Sequence, residues 1–192
     1  MNDRECLVTL FDAWGGKAWW RCKDHWKSEE GIGKWYGVQR DAGGHCLGLS
    51  LTDNTVTGVL GDATIKWLPV MVNLKSLYLM KNSLRGSVPH HLFQHLKSLE
   101  ELNLAWNQLE GILPDSIWEL SKLRILRLDN NRLSGVVNKK LGQLSQLKQL
   151  NLSRNEFSGQ YSELSSLFSF SPAINPTISL FLQVRSLEWA IS

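Results

Sequence analysis

The chain has 192 residues, of which 43% are hydrophobic and 20% are charged, and these values argue against a disordered polypeptide. Its net charge of +3 is spread along the sequence without a basic run, so nucleic-acid binding through phosphate contacts is not expected. The cysteines Cys6, Cys22 and Cys46 fit neither a disulfide framework nor a zinc site. We expect free thiols, although one pair could close in a secreted chain.

The sequence offers no segment that directs the chain to or across a membrane. The first residues are charged and lack an apolar signal segment. The longest late apolar run, residues 178–184, is far too short to cross a bilayer. With Met1 taken as the start, these features predict a cytoplasmic protein without a membrane span.

Residues 1–46 carry no repeat and predict a cap that begins with a helix. Asn2 and Glu5 have the spacing of a capping box, in which two side chains satisfy the first free amides of a helix. Gly15-Gly16 is a typical helix end. Between these signals, four apolar residues recur on one helical face: Leu7, Leu10, Phe11 and Trp14.

Tryptophan is concentrated in the same region. One interpretation is an aromatic cage for a ligand, and the favoured one is the hydrophobic core of a small cap, since aromatic side chains bury a large apolar area. An array of repeats needs such a cover on its first open face. Five of the nine tryptophans precede residue 36: Trp14, Trp19, Trp20, Trp26 and Trp35.

Residues 47–161 repeat one pattern about five times. Each unit contains Leu-x-Leu, then an asparagine three residues after the second leucine, then a hydrophobic residue and a glycine. Leu-x-Leu predicts a short strand whose leucines point inward and whose middle residue points outward. The asparagine amide can satisfy backbone groups where the chain turns inward. The expected ladder asparagines, 24 to 28 residues apart, are Asn54, Asn82, Asn107, Asn131 and Asn155.

The second half of each unit predicts a return to the outer face. Glycine, joined in two repeats by Pro89 or Pro114, favours a tight return over a regular helix. Apolar pairs then predict short helical or 3₁₀ turns that pack onto the strands: Leu92/Leu96, Ile117/Leu120 and Leu141/Leu144. Residues 162–192 lose the pattern and are expected to form a degenerate C-terminal cap or a non-repeat tail.

The residues that could carry chemistry are few. No phosphate-binding loop, dinucleotide fingerprint, kinase signature or nucleophile elbow is present in the sequence. His91 and His95 could share a helical face, but no acidic third ligand is nearby in the sequence. Glu100 and Glu101 are adjacent on a predicted strand, so their side chains should point to opposite faces. We therefore expect no enzyme activity, no metal site and no cofactor.

The repeat pattern, exemplified by LEELNLAWNQLEGILP from Leu99, resembles the leucine-rich repeats of the plant-type class, L-x-x-L-x-L-x-x-N-x-L-x-G-x-I-P. DRECLVTLFDAWGGKAW and WYGVQRDAGGHCLGLSL resemble the N-terminal cap of that family. Secreted members have cysteines where this chain has Gly33 and Arg40, so the cap is similar to those of intracellular members. The resemblance implies an α/β solenoid with a curved parallel sheet on the concave face, short helical or 3₁₀ turns on the convex face and a helical cap.

The outward positions of the predicted strands form the candidate binding surface, because solenoid curvature creates an extended concave face. Trp106 is distinctive there, since its column is otherwise polar or charged, and aromatic, Met and Arg side chains are enriched at binding hot spots. A structural alternative is that Trp106 merely covers its neighbours. The predicted ligand-binding residues are Tyr78, Met80, Lys81, Glu101, Asn103, Trp106, Arg127, Asp129, Asn130 and Arg154.

The expected function is a non-catalytic module that binds a protein or peptide in recognition or signalling. One alternative is a fragment of a larger receptor or immune-type sensor. A self-assembling structural protein is another, because an apolar tail could pair with a second copy. A hydrolase that uses the histidines is the least supported alternative.

Overall fold

The computed structural model describes residues 2–18, 20–60, 71–137, 139–158 and 179–181. These residues form one α-helix, α1 (Asp3–Ala13), and short 3₁₀ helices at Ile32–Lys34, Asp115–Glu119 and Lys139–Gln143. The twelve strands among them are β1 (Val38–Arg40), β2 (Cys46–Ser50), β3 (Thr57–Val59), β4 (Ser76–Tyr78), β5 (Ser83–Ser87), β6 (Glu101–Asn103), β7 (Gln108–Ile112), β8 (Ile125–Arg127), β9 (Arg132–Val136), β10 (Gln149–Asn151), β11 (Glu156–Ser158) and β12 (Ser179–Phe181).

Helix α1 begins and ends as its sequence predicts. The Asn2 side chain accepts a hydrogen bond from the Glu5 amide at 2.9 Å, and the Glu5 carboxylate accepts one from the Asn2 amide at 3.1 Å, which completes the capping box. At the other end Gly15 has φ +73°, and the Gly16 amide donates to the Phe11 carbonyl at 2.8 Å. This left-handed glycine closes the helix as a C-terminal cap.

The tryptophans of the N-terminal region form a packed core. Phe11 and Trp20 have ring centroids 4.8 Å apart, and Trp20 and Trp26 have theirs 4.9 Å apart. Trp14, Trp20, Trp26 and Trp35 are all at most 8% exposed. Rings buried to this extent cannot line an open cage, so the interpretation as a cap core applies to these four residues. Trp19 lies outside the described residues.

The concave sheet has seven strands in the order β1-β2-β4-β6-β8-β10-β12. Strand β1 is antiparallel to β2, and each later neighbour is parallel. Each repeat contributes one buried strand leucine that pairs in register with the equivalent leucine of the next repeat: Leu49, Leu77, Leu102, Leu126 and Leu150. The predicted curved parallel sheet is therefore confirmed, since each repeat buries its leucines only against its neighbours.

A second parallel sheet replaces the tight return that glycine and proline predict. Its order is β11-β9-β7-β5-β3. The pairing is offset, so that Gly135 lies opposite Phe157 of the following repeat. Gly135 has φ +94°, and a Cβ added there would lie 3.0 Å from Ile112 Cγ2. Glycine thus permits a backbone conformation and a close approach that would strain other residues, while the chain stays extended enough to pair.

The ladder asparagines join each repeat to the one before it. Asn107 Nδ2 donates to the Leu79 carbonyl of the preceding repeat at 2.9 Å and to the Leu104 carbonyl of its own repeat at 3.1 Å. Asn107 Oδ1 accepts from the Leu84 amide at 3.0 Å. Asn82, Asn131 and Asn155 repeat this pattern.

The first asparagine of the ladder reaches into the cap. Asn54 accepts a hydrogen bond from the Cys22 amide at 2.5 Å and donates one to the Cys22 carbonyl at 2.8 Å. Asn54 itself is 1% exposed. One amide side chain therefore connects residues 1–46, which we propose as the cap, to residues 47–161, which we propose as the repeat array.

The outer face carries the short turns predicted from its apolar pairs. Ile117 and Leu120 are fully buried beneath the Asp115–Glu119 3₁₀ helix, and Leu141 and Leu144 belong to the next turn. The tail expected at residues 162–192 lies outside the described residues, except for the backbone of β12, which pairs with β10. Among the described helices, none has the length and apolar character that crossing a membrane requires.

Candidate functional site

The concave face of the seven-stranded sheet holds the predicted binding residues. Strands β4, β6, β8 and β10 bury their central leucine and turn their first residue toward the concave surface. Neighbouring strands lie about 4.8 Å apart, so equivalent residues of successive repeats form columns across the face. The structure brings all ten predicted residues to this surface or its rim. Eight of them are partly or fully exposed: Tyr78, Met80, Lys81, Glu101, Trp106, Arg127, Asn130 and Arg154.

Two of the predicted ligand residues, Asn103 and Asp129, belong to this face but are buried beneath their neighbours, so the expectation of exposed side chains is wrong for these two. Asn103 is 7% exposed, and its Oδ1 accepts a hydrogen bond from the Ala105 amide at 3.1 Å. Asp129 is 3% exposed and accepts hydrogen bonds from Asn130 Nδ2 at 2.9 Å and Arg127 Nε at 3.4 Å. Their polar atoms are used inside the protein, so both residues support the concave surface from below.

Tyr78 and Glu101 lie on neighbouring strands and are joined by a hydrogen bond from the tyrosine hydroxyl to the carboxylate. Burial and the carboxylate acceptor together raise the pKa of Tyr78 to about 12. The phenol is therefore a neutral donor at physiological pH. Glu101 therefore has a partner within the protein.

A row of five residues runs along the edge of the concave face, and each member precedes a ladder asparagine. Every member has a left-handed backbone conformation, with φ between +53° and +58°. The amides of the first four members donate to the next repeat; the Trp106 amide, for example, donates to the Asp129 carbonyl at 2.8 Å. We call this set the left-handed row: Asp53, Lys81, Trp106, Asn130 and Arg154.

Trp106 is the apolar centre of the left-handed row, and 46% of its surface is exposed. The Arg154 guanidinium carbon lies 6.0 Å from the centroid of its ring, within cation–π range. Arg154 Nη1 also donates to Asn130 Oδ1 at 3.3 Å. An apolar surface with a cation beside it can bind a partner side chain and an anionic group together.

In the described part of the chain, the histidines and the adjacent glutamates have separate partners. His91 Nδ1 lies 3.3 Å from the Gln94 side-chain oxygen, and no three His, Cys, Asp or Glu side chains among the described residues could hold a metal. Glu100 pairs weakly with Lys75 and Arg124, at 3.9 and 3.8 Å, whereas Glu101 binds Tyr78. Their different partners leave no cooperating carboxylate pair.

Two surface features escaped the sequence interpretation. The amino-acid sequence gives only a weak indication of the left-handed backbone of the row. Asp53 and Asn130 are residue types that tolerate this conformation, but lysine, tryptophan and arginine are uncommon in it. The second sheet exposes Ile112 by 70% and Val136 by 58%. Only the alternation of residues in β7 and β9 could have indicated that these two side chains point outward.

The comparisons with known proteins agree with this architecture. A family model described as leucine rich repeat matches residues 72–133. A leucine-rich repeat receptor protein kinase, MSL1, from Oryza sativa subsp. japonica is 39% identical over 75 residues, which are 39% of this chain. The chain spans only 5% of the length of that relative.

Two solved structures from Arabidopsis are similar over nearly the whole chain. The BIR2 ectodomain from Arabidopsis thaliana has a TM-score of 0.77 and 25% identity, covering 92% of this chain and 90% of its own. The ectodomain of the Arabidopsis receptor kinase HAESA, in complex with an IDA peptide hormone ligand, has a TM-score of 0.69 and 26% identity. That match covers 95% of this chain and 33% of the HAESA chain.

These similarities overturn the expected cytoplasmic location. The similar structures are ectodomains of plant receptors, which lie outside the cell, so the cytoplasmic prediction is wrong. The prediction relied partly on Gly33 and Arg40 in place of a cysteine pair. The region that would contain this pair is instead packed through buried tryptophans and bonded to Asn54, so the missing cysteines are a poor guide to the compartment.

Proposed function

Because the chain is a leucine-rich repeat protein with repeats of the plant type, we propose that it is a non-catalytic module that binds a protein or peptide on its concave face. The proposed contact surface is the left-handed row with the adjoining side chains of β4, β6 and β8. The HAESA ectodomain, which shares this fold, is in complex with a peptide hormone. That similarity supports a peptide or protein ligand for this chain as well.

The observation that carries the proposal is the exposure of Trp106. A tryptophan that is 46% exposed among polar and charged neighbours leaves a large apolar area in water. Its backbone has φ +56°, a conformation that is costly for a bulky residue. The other members of the left-handed row share this backbone conformation, so it is the exposed ring that needs a separate reason, and its exposure is accounted for when it serves as a contact for a partner.

Affinity capture from an extract of the source organism tests the proposal. The full chain, Trp106→Ala and the matched control Ile112→Ala serve as baits, since Ile112 is an exposed apolar residue on the other sheet. We expect Trp106→Ala to recover at least fivefold less of the partner, and Ile112→Ala to recover as much as the unaltered chain. Equal losses for both variants, or a large drop in the melting temperature of Trp106→Ala, would make Trp106 a structural residue.

A place in a larger receptor or immune-type sensor is a second candidate role. It is supported by the match to a receptor protein kinase of which this chain covers 5%. Transcript sequencing on both sides of the coding region tests it, and an open reading frame that continues into further domains is the expected result. Self-association stays a separate prediction, and light scattering over a dilution series would detect it.

A further inference from the structure

We propose that the concave ligand is an acidic peptide segment that places separate carboxylates beside Lys81 and Arg154 and an apolar side chain on Trp106. This inference rests on the proposed function and names the chemistry of its ligand. It follows from how the charges of the concave face are paired, from the position of the aromatic ring and from the geometry of the left-handed row.

The acidic groups of this face already have partners inside the protein. Asp129 is buried and accepts hydrogen bonds from Arg127 and Asn130. Glu101 accepts a hydrogen bond from the Tyr78 hydroxyl. Asp53, at the end of the row, lies 3.3 Å from Arg21 Nη1. None of these carboxylates requires a cation from a ligand.

Two cations of the left-handed row are in the opposite situation. Within the described ranges, neither Lys81 nor Arg154 lies within ion-pair distance of a carboxylate, and both residues are exposed. Arg154 gives one nitrogen to Asn130 Oδ1 at 3.3 Å and directs its guanidinium over Trp106. The concave face therefore presents unpaired positive charge beside its exposed ring, which is complementary to an anionic partner.

The backbone fixes the order of these groups. The Lys81 amide donates to the Ala105 carbonyl at 3.0 Å, and the Asn82 amide donates to the Trp106 carbonyl at 3.2 Å. Lys81 and Trp106 therefore occupy equivalent positions in neighbouring repeats, and their backbones lie about 4.8 Å apart along the row. Because the Lys81 and Trp106 amides are used between repeats, a ligand meets the side chains of the row: a cation, an aromatic ring and, beyond Asn130, a second cation.

This mixed pattern favours a peptide over a uniformly anionic polymer. A chain of uronic acids that crossed the face would bring its negative charges toward Asp53 and Glu101 as well as toward the two cations. A peptide can place one carboxylate beside each of the two cations and an apolar side chain on Trp106, with neutral residues elsewhere. Charge repulsion at the wrong positions is a general means of excluding competing ligands.

A random dodecapeptide display library, selected on the full chain, tests the proposal. The variants are Lys81→Gln/Arg154→Gln and a matched control, Arg85→Gln/Arg132→Gln, which removes the same charge from exposed positions of the second sheet. We expect recovered peptides to be enriched in Asp or Glu next to an apolar residue. By fluorescence anisotropy they should bind the first variant at least tenfold more weakly, and the control within twofold of the unaltered chain.

Three outcomes would overturn the proposed chemistry. The selected peptides could be no more acidic than the library, or the two double variants could lose equal affinity. A uronic-acid oligomer that binds more tightly than every selected peptide would be the third. Partner capture separates the two proposals. If Trp106→Ala loses capture while Lys81→Gln/Arg154→Gln keeps it, the concave site stands and the acidic ligand is wrong. If neither variant changes capture, both proposals are wrong.

Discussion

The guanidinium of Arg154 lies 6.0 Å from the centre of the Trp106 ring, although a whole repeat lies between the two residues in sequence. Asn130, from that intervening repeat, accepts a hydrogen bond from Arg154 at 3.3 Å and so holds the side chain in this direction. Three consecutive repeats thus contribute one residue each to a single contact. The left-handed row is a continuous surface, so substituting one of its residues is expected to alter the position of the neighbouring side chains.

Trp106→Asn separates stability from binding. Asparagine tolerates the left-handed conformation that Trp106 adopts at φ +56°, and strain of this kind costs on the order of 1 kcal/mol. We expect the free energy of unfolding to stay level or rise by up to about 1 kcal/mol, while partner capture falls. Urea denaturation measures the first quantity. A loss of stability of about 2 kcal/mol or more would show that the ring supports the fold.

Asn107→Ala tests the ladder. The substitution leaves the Leu79 carbonyl and the Leu84 amide without the side-chain partner they have now. Loss of such a buried partner costs roughly 1–3 kcal/mol, so the melting temperature should fall in one cooperative transition. Asn73→Ala, at an exposed position, is the control and should melt like the unaltered chain. An unchanged melt for Asn107→Ala would contradict the structural role of the asparagine.

The three cysteines should react at different rates. Burial raises the pKa of Cys6 to about 11 and that of Cys46 to about 12, whereas Cys22 is partly exposed. Because the thiolate is the reactive form, Cys6 and Cys46 stay protonated and shielded at pH 8. A thiol reagent should therefore label one cysteine rapidly in the native protein and all three in guanidinium. Rapid labelling of two or more native thiols would be the contrary result.

The hydrogen bond from Tyr78 to Glu101 predicts a loss of stability at high pH. The folded-state pKa of Tyr78 is raised from 10.0 to about 12, so its contribution to stability is complete below pH 10 and is lost as the pH rises toward about 12. The melting temperature of Tyr78→Phe should lie below that of the unaltered chain at pH 8. The difference should shrink between pH 10 and 12. A constant difference would mean that Tyr78 ionises as it does in the unfolded chain.

Gly33 and Arg40 are placed so that a disulfide can join them. A Cβ added at Gly33 would lie 3.0 Å from Arg40 Cγ, so the two side-chain positions face each other. Gly33→Cys/Arg40→Cys should form a disulfide that closes a short loop and adds about 2 kcal/mol of stability. The measurement is the melting temperature with and without reductant, with each single variant as control. Two thiols that remain titratable under oxidising conditions would contradict this geometry.

The repeat leucines could be predicted because the same requirement recurs in every unit. Leu77 and Leu102 must be buried against neighbouring strands, and a repeated spacing reveals that demand in the sequence. The burial of Asn103 and Asp129 could not be predicted in this way. It depends on which side chains approach from the adjacent repeats, and a single unit carries no record of those neighbours.

The second sheet and the left-handed row were missed for a related reason. Gly111 and Trp106 both have positive φ, but glycine suggests a turn and tryptophan suggests an extended or buried segment. The backbone at both positions is set by hydrogen bonds to the next repeat. Conformations imposed across repeats override the local preference of a residue.

The asparagine ladder also gives the array a direction. Each asparagine reaches back to the repeat that precedes it, as Asn107 does to Leu79, and Asn54 reaches back to Cys22 in the cap. Each repeat therefore carries the side chain that joins it to the repeat before it in sequence. Removing repeats from the carboxyl end leaves the hydrogen bonds of every earlier asparagine intact. Removing the cap instead leaves Asn54 without its partner Cys22.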